Sequence, residues 1–470
     1  MNPSAPHVVL GAGPCGLYGA LELARAGEDV VVLERENQAG GLAAGQRRGE
    51  NFYDLGVHML HAFDEEVFET VSDLMGEERI EVPLDARIRW AGSFYRYPLQ
   101  FVDLVRGMPP LKLVQCCSGL LLAQLRAKLF PREVETAEEA LRELYGDPLY
   151  RFFFEDFTER YWSVHPRDLS AIFVKSKMPR LSAVDVLKKG LSSLGLAKKE
   201  ILAVESALLQ ETLHYSRKGA DAMPRCLARG VEKAGGRVLL NAPVETVRIR
   251  QGAVHSVAWR DSESGEIREQ PARTVLSTMP LPDLVRALDP PAPEAVLAAA
   301  DGLRFQAIAV HGLLVRKPKV LDCLYVYYRD RVFHRVGEPK NAGLEVTPED
   351  HTVLIVETTC REGDPSWEGT EAFRTSVLDD LTAEGICAAE DVVEWHVLRV
   401  RHGYPVFTLG FERHLAAVRG HLAQIDGLES TGRQGGFQYP NMHQAMRMGA
   451  ESAKNLGFSS SAKKSSENMS

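Results

Sequence analysis

Residues 7–41 read HVVLGAGPCGLYGALELARAGEDVVVLERENQAGG, and this stretch decides the fold. Its apolar run 7–10 is typical of a buried parallel strand. A helix is predicted over about 17–25, and a second apolar strand then ends at Glu34. Three glycines lie between the first strand and the helix with the G-x-G-x-x-G spacing: Gly11, Gly13 and Gly16. Strand, glycine turn, helix, strand and acid in this order predict a dinucleotide-binding α/β unit.

The glycine turn has the chemistry that a pyrophosphate needs. Gly11 permits a tight turn, Gly13 lets the pyrophosphate approach the backbone, and Gly16 lets the helix pack closely on the strand. Free N–H groups and the dipole at the helix N-terminus attract phosphates. The alternative is a turn with a purely structural role, which the complete order of elements disfavours.

The residues around Glu34 favour FAD over the nicotinamide dinucleotides. The Glu34 carboxylate can accept hydrogen bonds from both ribose hydroxyls and would repel the 2′-phosphate of NADP. Gly40 and Gly41 offer a second place where backbone can approach a pyrophosphate. The unit lies near the N-terminus, and a further glycine-rich segment near the C-terminus could contact a flavin. FAD is therefore the predicted cofactor.

Composition limits the class of partner. The chain has 470 residues and a net charge of −9, and no basic stripe is present that could neutralise nucleic-acid phosphates. Its seven cysteines are scattered, without C-x-x-C pairs or histidines at zinc spacing, so no metal site is predicted. With no signal peptide, they indicate reduced thiols in a cytoplasmic protein. A small-molecule substrate is expected, and the oligomeric state is left open.

Two segments need separate interpretation. Residues 111–130, LKLVQCCSGLLLAQLRAKLF, are dense in apolar side chains but are interrupted by charged and amide residues. A helix that covers the core of a second domain is favoured here over a helix that lies on a membrane surface. The polar, low-complexity tail 459–470 is predicted to be disordered.

The order of elements predicts a nucleotide-binding domain built from separated segments. Its fold class is α/β, with a Rossmann-like FAD-binding domain formed by residues 1–95, 216–285 and 425–458. An inserted α+β cap that carries the substrate site is formed by residues 96–215 and 286–424. Alternating bulky residues at 88–100, across the boundary between the first segment and the cap, predict strands or a hairpin around Gly92.

Five further motifs carry a resemblance to a known superfamily. They are FYDLGVHMLH (52–61), FTERYWSVHPRDLSA (157–171), HYSRKGADAMPRCLA (214–228), APVETVRI (242–249) and GRQGGFQYPNMHQAM (432–446). In this order they resemble the flavoprotein superfamily of amine oxidases, protoporphyrinogen oxidases, phytoene desaturases and UDP-galactopyranose mutases. The resemblance spans about residues 7–457 and implies FAD as the cofactor.

The resemblance also implies site residues. Residues expected to contact FAD are Gly11, Gly13, Pro14, Cys15, Gly16, Glu34, Arg35, Gly40, Gly41, Leu42, His58, Val244, Gly432, Arg433, Asn441 and Met442. A helix that starts near Asn441 or Met442 would aim N–H groups at the flavin N1–O2 edge. Candidate catalytic residues are Arg433, Tyr439, Trp162 and His58. The alternatives are surface positions for Arg433 and Tyr439 and core positions for Trp162 and His58.

Three functions remain open. The favoured hypothesis is an FAD-dependent oxidoreductase in which the substrate passes a hydride or its equivalent to flavin N5. A redox-neutral sugar mutase like UDP-galactopyranose mutase is the alternative, and a non-catalytic FAD-binding scaffold is the third. The mutases hold a nucleotide diphosphate with a further arginine, and the position in LRFQAI (303–308) that matches it is Gln306. No lysine can be placed beside flavin N5, as amine oxidases commonly have.

Overall fold

The computed structural model describes residues 4–56, 58–97, 101–177 and 212–467. A five-stranded parallel sheet, called the nucleotide sheet below, brings together segments that are far apart in the chain. In spatial order its strands are Arg237–Leu239, Val30–Leu33, His7–Leu10, Thr274–Ser277 and Leu428–Ser430. The three central strands are buried along their whole length, which explains why they read as continuous apolar runs.

The helix that follows the glycine turn, Pro14–Arg25, starts three residues earlier than the sequence indicates. It packs against the helix Met442–Glu467 and against Ala222–Lys233. The crossing with the C-terminal helix is close enough to need glycine, because a Cβ atom on Gly449 would lie 2.1 Å from the Cys15 carbonyl oxygen. This contact holds the helix Met442–Glu467 against the helix Pro14–Arg25.

The largest sheet has seven strands and is called the cap sheet below. In spatial order its strands are Val392–Pro405, Phe305–Val315, Thr352–Cys360, Arg335–Gly337, Tyr325–Tyr328, Ala86–Trp90 and Ser93–Tyr97. The hairpin around Gly92 confirms the prediction from the alternating pattern. However, the hairpin joins the cap sheet through a parallel pairing of Tyr325–Tyr328 with Ala86–Trp90. Part of the predicted nucleotide-binding segment 1–95 thus pairs with a strand of the predicted cap segment 286–424.

The remaining strands of the described residues form three smaller sheets. A four-stranded mixed sheet contains the antiparallel strands Val244–Arg250, Ala253–Arg260 and Ile267–Pro271. Its fourth strand, Leu288–Asp289, pairs in parallel with Val244–Arg250. The remaining strands form a hairpin and a three-stranded sheet: Gly45–Arg48 with Asn51–Asp54, and Leu60–His61, Thr212–Ser216 and Arg79–Pro83.

The other α-helices of the described residues are, in chain order, Glu65–Met75, Phe101–Gly107, Pro110–Leu129, Ala137–Tyr145, Asp147–Phe153, Glu155–Trp162, Ala171–Lys177, Leu281–Arg286, Glu294–Asp301, Pro365–Glu368, Glu371–Ala383, Phe411–Leu422 and Gly432–Gly435. Within the described residues, no helix combines the length and the apolar character needed to cross a bilayer.

The C-terminus differs from the sequence-based expectation. The final helix continues to Glu467, so the tail predicted to be disordered from residue 459 is helical over most of its length. This segment has no proline or glycine, so a helix that tertiary contacts have already started can extend into it. The last three residues of the predicted tail lie outside the described residues, as does much of the predicted cap segment 96–215.

Candidate functional site

The glycine turn opens a cleft at the carboxyl ends of the nucleotide sheet. The helix Pro14–Arg25 has Gly13 at its N-cap and no side-chain cap, so its first N–H groups are available to a ligand. A Cβ atom on Gly16 would lie 2.1 Å from the carbonyl oxygen of Gly11. Gly11 itself has a φ of +101°, which favours glycine. The turn therefore requires the residues that the motif supplies.

Glu34 directly follows the strand Val30–Leu33 of the nucleotide sheet and lines the same cleft. Its carboxylate accepts hydrogen bonds from the N–H groups of Ala12 at 2.7 Å and Glu36 at 3.0 Å. Burial raises the pKa of Glu34 above its usual range, although these two N–H donors oppose the rise. The two bonds orient the carboxylate and leave acceptor capacity for ribose hydroxyls.

The cleft has the size and the lining that FAD needs. Its volume is about 1230 Å³, which exceeds the roughly 300–1,000 Å³ of most small-molecule sites and suits a dinucleotide. All of the residues predicted to contact FAD line it except Gly16, Gly40 and Gly432. Gly432 instead keeps the C-terminal loop close to the glycine turn, because a Cβ atom there would lie 2.9 Å from the Cys15 Sγ atom. Glycine turn, helix N-terminus and buried carboxylate together fit a dinucleotide.

The C-terminal loop closes the other end of the cleft. The helix Met442–Glu467 begins where the sequence predicts, and both Asn441 and Met442 line the cleft. The Asn441 N–H donates to the Gln444 side chain at 2.8 Å. The N-terminus of this helix is thus directed at the cleft, as an interaction with the N1–O2 edge of a flavin requires.

Arg433 and Tyr439 meet next to this helix. The Arg433 guanidinium lies over the Tyr439 ring at 5.1 Å and over the Tyr404 ring at 5.6 Å. It donates to the Pro440 carbonyl at 2.8 Å. None of the carboxylates in the described part of the chain forms an ion pair with Arg433. The side chain is therefore a partly buried cation in the cleft without a compensating anion.

His58 lies at the same end of the cleft, partly buried. Burial lowers the pKa of His58 to about 3, and the charges of Arg433 and Arg335 add to this effect. The imidazole is therefore neutral at physiological pH. Its Nδ1 atom has no hydrogen-bond partner among the residues that the structure describes.

Trp162 is placed behind this group instead of facing the cleft. It is only 3% exposed, and its ring meets Tyr404 and Tyr439 edge-on, with centroids 6.1 and 6.2 Å apart. Its contacts position the two phenols.

A second arginine belongs to the same region, and no motif in the sequence indicates it. Arg335 donates two hydrogen bonds at 2.6 Å to the two carboxylate oxygens of Glu357, and a third at 3.3 Å to the Tyr327 hydroxyl. Burial opposes the charge, but the Glu357 carboxylate raises the pKa of Arg335 well above its usual range. The pair is bidentate and is neutralised internally.

We call the residues that meet here the tyrosine–arginine cluster: Tyr161, Tyr327, Tyr404, Tyr439, Arg335 and Arg433. Burial raises the pKa of Tyr161 and of Tyr439 well above the usual range, and neighbouring phenols contribute. The pKa of Tyr327 is also raised by burial. These phenols stay protonated at neutral pH and can donate hydrogen bonds to an anionic or carbonyl oxygen. Tyr325 and Tyr327 alternate in CLYVYYRD, but this pattern does not indicate which face of the strand meets the cleft.

Gln306 does not belong to the cluster. It is 4% exposed, and its side-chain amide donates to the Cys360 carbonyl at 2.8 Å within the cap sheet. The position that the sequence matched to a diphosphate-binding arginine is therefore occupied by a residue that stabilises the sheet.

Asp54 of the D-x-G-x-H segment stabilises the fold through hydrogen bonds to the segment 215–220. It accepts hydrogen bonds from the Tyr215 hydroxyl and, at 3.0 Å, from the Ala220 N–H. Burial raises the pKa of Asp54 to about 7. The aspartate thus joins the hairpin 45–54 to the segment that precedes the helix Ala222–Lys233.

Comparisons with known proteins agree with the cofactor. A family model described as flavin containing amine oxidoreductase matches residues 14–356. The inactive all-trans-retinol 13,14-reductase of Danio rerio is 26% identical over 271 residues, which cover 52% of this chain and 42% of that protein. The chain spans less than half the length of the curated relatives it matches.

Solved structures show the same fold. Reduced UDP-galactopyranose mutase superposes with a TM-score of 0.78, at 17% identity, over 96% of this chain and 94% of that one. Putrescine oxidase bound to putrescine superposes with a TM-score of 0.59, at 19% identity, over 96% of this chain and 98% of that one. At these identities the likeness concerns the fold alone.

Proposed function

The chain belongs to the flavin containing amine oxidoreductase family, and we propose that it is an FAD-dependent oxidoreductase whose substrate is a small anion. A bound flavin supplies a two-electron acceptor for the equivalent of a hydride. The residues of this chain have to hold the substrate beside it and limit the access of water. The observation that carries the proposal is the cation Arg433, which lines the cleft, lies against two phenol rings and has no carboxylate partner among the described residues.

The charge of the cleft distinguishes between substrate classes. Arg433 has no carboxylate partner among the described residues, and His58 stays neutral because its pKa is about 3. A protonated amine would meet an uncompensated positive charge, whereas a carboxylate or a phosphate would receive a planar fork of donors. The rings of Tyr404 and Tyr439 lie against this guanidinium and orient it. An anionic substrate is therefore favoured over an amine.

Anaerobic reduction of the oxidised protein tests this proposal. The yellow protein is mixed with an amine such as putrescine, with carboxylate-bearing compounds and with a nucleotide sugar, and flavin absorbance is followed. We expect bleaching by an anionic class and none by the amine. Bleaching by putrescine alone would contradict the proposed substrate class.

A redox-neutral sugar mutase is the second candidate. It is supported by the structural match to UDP-galactopyranose mutase over nearly the whole chain and by Arg433 and Tyr439 on positions that resemble that enzyme's closing motif. A mutase would turn over a nucleotide sugar only after dithionite reduction, without net oxidation. A non-catalytic scaffold would give neither bleaching nor turnover, and the large open cleft disfavours it.

A further inference from the structure

The helix Pro110–Leu129 has apolar side chains on two opposite sides, and the described residues cover only one of them. Cys116 and Leu120 face the core and are buried. Six large apolar residues on the opposite side are between 45% and 72% exposed: Leu111, Val114, Leu121, Leu122, Leu125 and Leu129. We call this stripe the outward face. At helical spacing it occupies an arc of about 100° along a helix that is about 30 Å long.

Exposed apolar residues are concentrated at this place in the molecule. Seventeen large hydrophobic residues of the described chain are exposed, and eight of them lie within residues 105–130. These eight are the outward face together with Val105 and Phe130. Single exposed apolar residues are ordinary, but a contiguous group marks an interaction surface. The sequence-based expectation of a helix that only covers the core therefore accounts for one of its two sides.

The charge around the outward face is opposite to that of the whole protein. Residues 104–132 contain five basic residues and no acidic one, although the net charge of the chain is −9. The basic residues are Arg106, Lys112, Arg126, Lys128 and Arg132. Among the carboxylates of the described residues, only Glu143 pairs with any of them, at 3.8 Å from Arg132. Arg126 and Lys128 are exposed and flank the apolar stripe on its two sides.

We propose that the outward face docks on the surface of an anionic lipid bilayer. The helix would lie parallel to the surface, with its leucines at the boundary of the acyl chains and Arg126 and Lys128 among the headgroups. A second copy of the chain would bring two basic surfaces together, which disfavours self-association through this face. A convex apolar helix also fits a fluid bilayer without a complementary groove. The proposal does not depend on which reaction the cleft performs.

Vesicle co-sedimentation of the full-length yellow protein tests the proposal. Vesicles of phosphatidylcholine are compared with vesicles of phosphatidylcholine and phosphatidylglycerol. We expect binding to the anionic vesicles only and its release by about 0.5 M NaCl. Two double variants should each weaken binding about tenfold or more. One combines Leu122→Glu with Leu125→Glu, and the other combines Arg126→Glu with Lys128→Glu.

Ile267→Glu is the matched control, because Ile267 is 58% exposed on a different sheet and should bind like the wild type. Flavin absorbance and thermal melting show whether each variant is folded. Absence of vesicle binding, or equal binding of the wild type and the Leu122→Glu, Leu125→Glu variant, would overturn the proposal. So would salt-independent binding to both kinds of vesicle. A dimer that the leucine variant dissociates, without vesicle binding by the wild type, would identify a second copy as the occupant instead.

Discussion

Replacement of Arg433 by alanine tests whether the cleft binds an anion. Two unit charges about 4 Å apart attract each other by about 4 kcal/mol at an effective dielectric constant of about 20. Arg433 is only partly buried, so solvent lowers this value, and we expect a loss of about 2–4 kcal/mol in transition-state binding. This loss corresponds to a decrease of about 30- to 900-fold in kcat/KM for an anionic substrate. FAD affinity should change less.

Stopped-flow flavin reduction under anaerobic conditions measures this effect, and FAD affinity is followed separately by absorbance. Arg433→Lys keeps the charge but loses the planar group that lies over Tyr404 and Tyr439, so it should recover part of the activity. Arg401→Ala is the control, because Arg401 also lines the cleft but is exposed and pairs with Glu362 at 2.8 Å. Its removal should have little effect.

Two results would refute the reasoning about Arg433. Equal losses for anionic and neutral substrates would show that its charge does not select the substrate. Unchanged turnover with a lower melting temperature would show that Arg433 acts through its hydrogen bond to the Pro440 carbonyl, which holds the C-terminal loop. In either case the proposed substrate class would be wrong, while the assignment of the cofactor would stand.

Three further changes have defined outcomes. Gly13→Val should give colourless protein, because its side chain enters the space of the pyrophosphate, whereas Gly420→Val, with open space around it, should stay yellow. Tyr439→Phe should lower kcat/KM because it costs about 0.5–1.5 kcal/mol of transition-state binding, the contribution of one neutral hydrogen bond. A loss as large as that of Arg433→Ala would contradict this role. Burial raises the pKa of Asp54 to about 7, so the folded protein retains a proton that the unfolded carboxyl releases near pH 4. Stability should therefore fall as the pH rises from about 4 to about 7, and thermal melts of Asp54→Asn should show a flatter pH dependence.

The nucleotide-binding part could be predicted because its determinants are local. Glycine turn and acid lie within one short stretch, and the structure confirms strands at His7–Leu10 and Val30–Leu33. The predicted start of the following helix was three residues too late. Apolar periodicity becomes visible at Leu17, but the helix begins at Pro14, a residue that is favoured in the first turn.

The cap sheet could not be derived in the same way. Its hairpin Ala86–Tyr97 follows from local alternation, but the parallel partner Tyr325–Tyr328 comes more than 200 residues later. No periodicity specifies such a long-range pairing. The sequence analysis therefore did not connect the hairpin with the later strands, and Arg335 and Tyr327 were missed for the same reason.

The arginines also bear on the choice between oxidation and mutase chemistry. From the sequence, Gln306 argued against a diphosphate because an arginine was absent at that position. The structure removes this argument, since Gln306 is bonded to the Cys360 carbonyl within the cap sheet, and Arg335 brings a guanidinium to the cluster from another strand. However, Arg335 is already neutralised by the bidentate contact with Glu357.

Arg433 is then the one cation of the tyrosine–arginine cluster that lacks a carboxylate partner within the described part of the chain. Its guanidinium balances a single negative charge, and the neutral phenols add no further charge. A nucleotide diphosphate would bring two charges and would have to compete with Glu357 for Arg335, which costs the energy of a buried ion pair. A monoanionic substrate needs no such rearrangement. This balance of charge, and not the residue at position 306, is the physical reason to favour an oxidoreductase over a mutase.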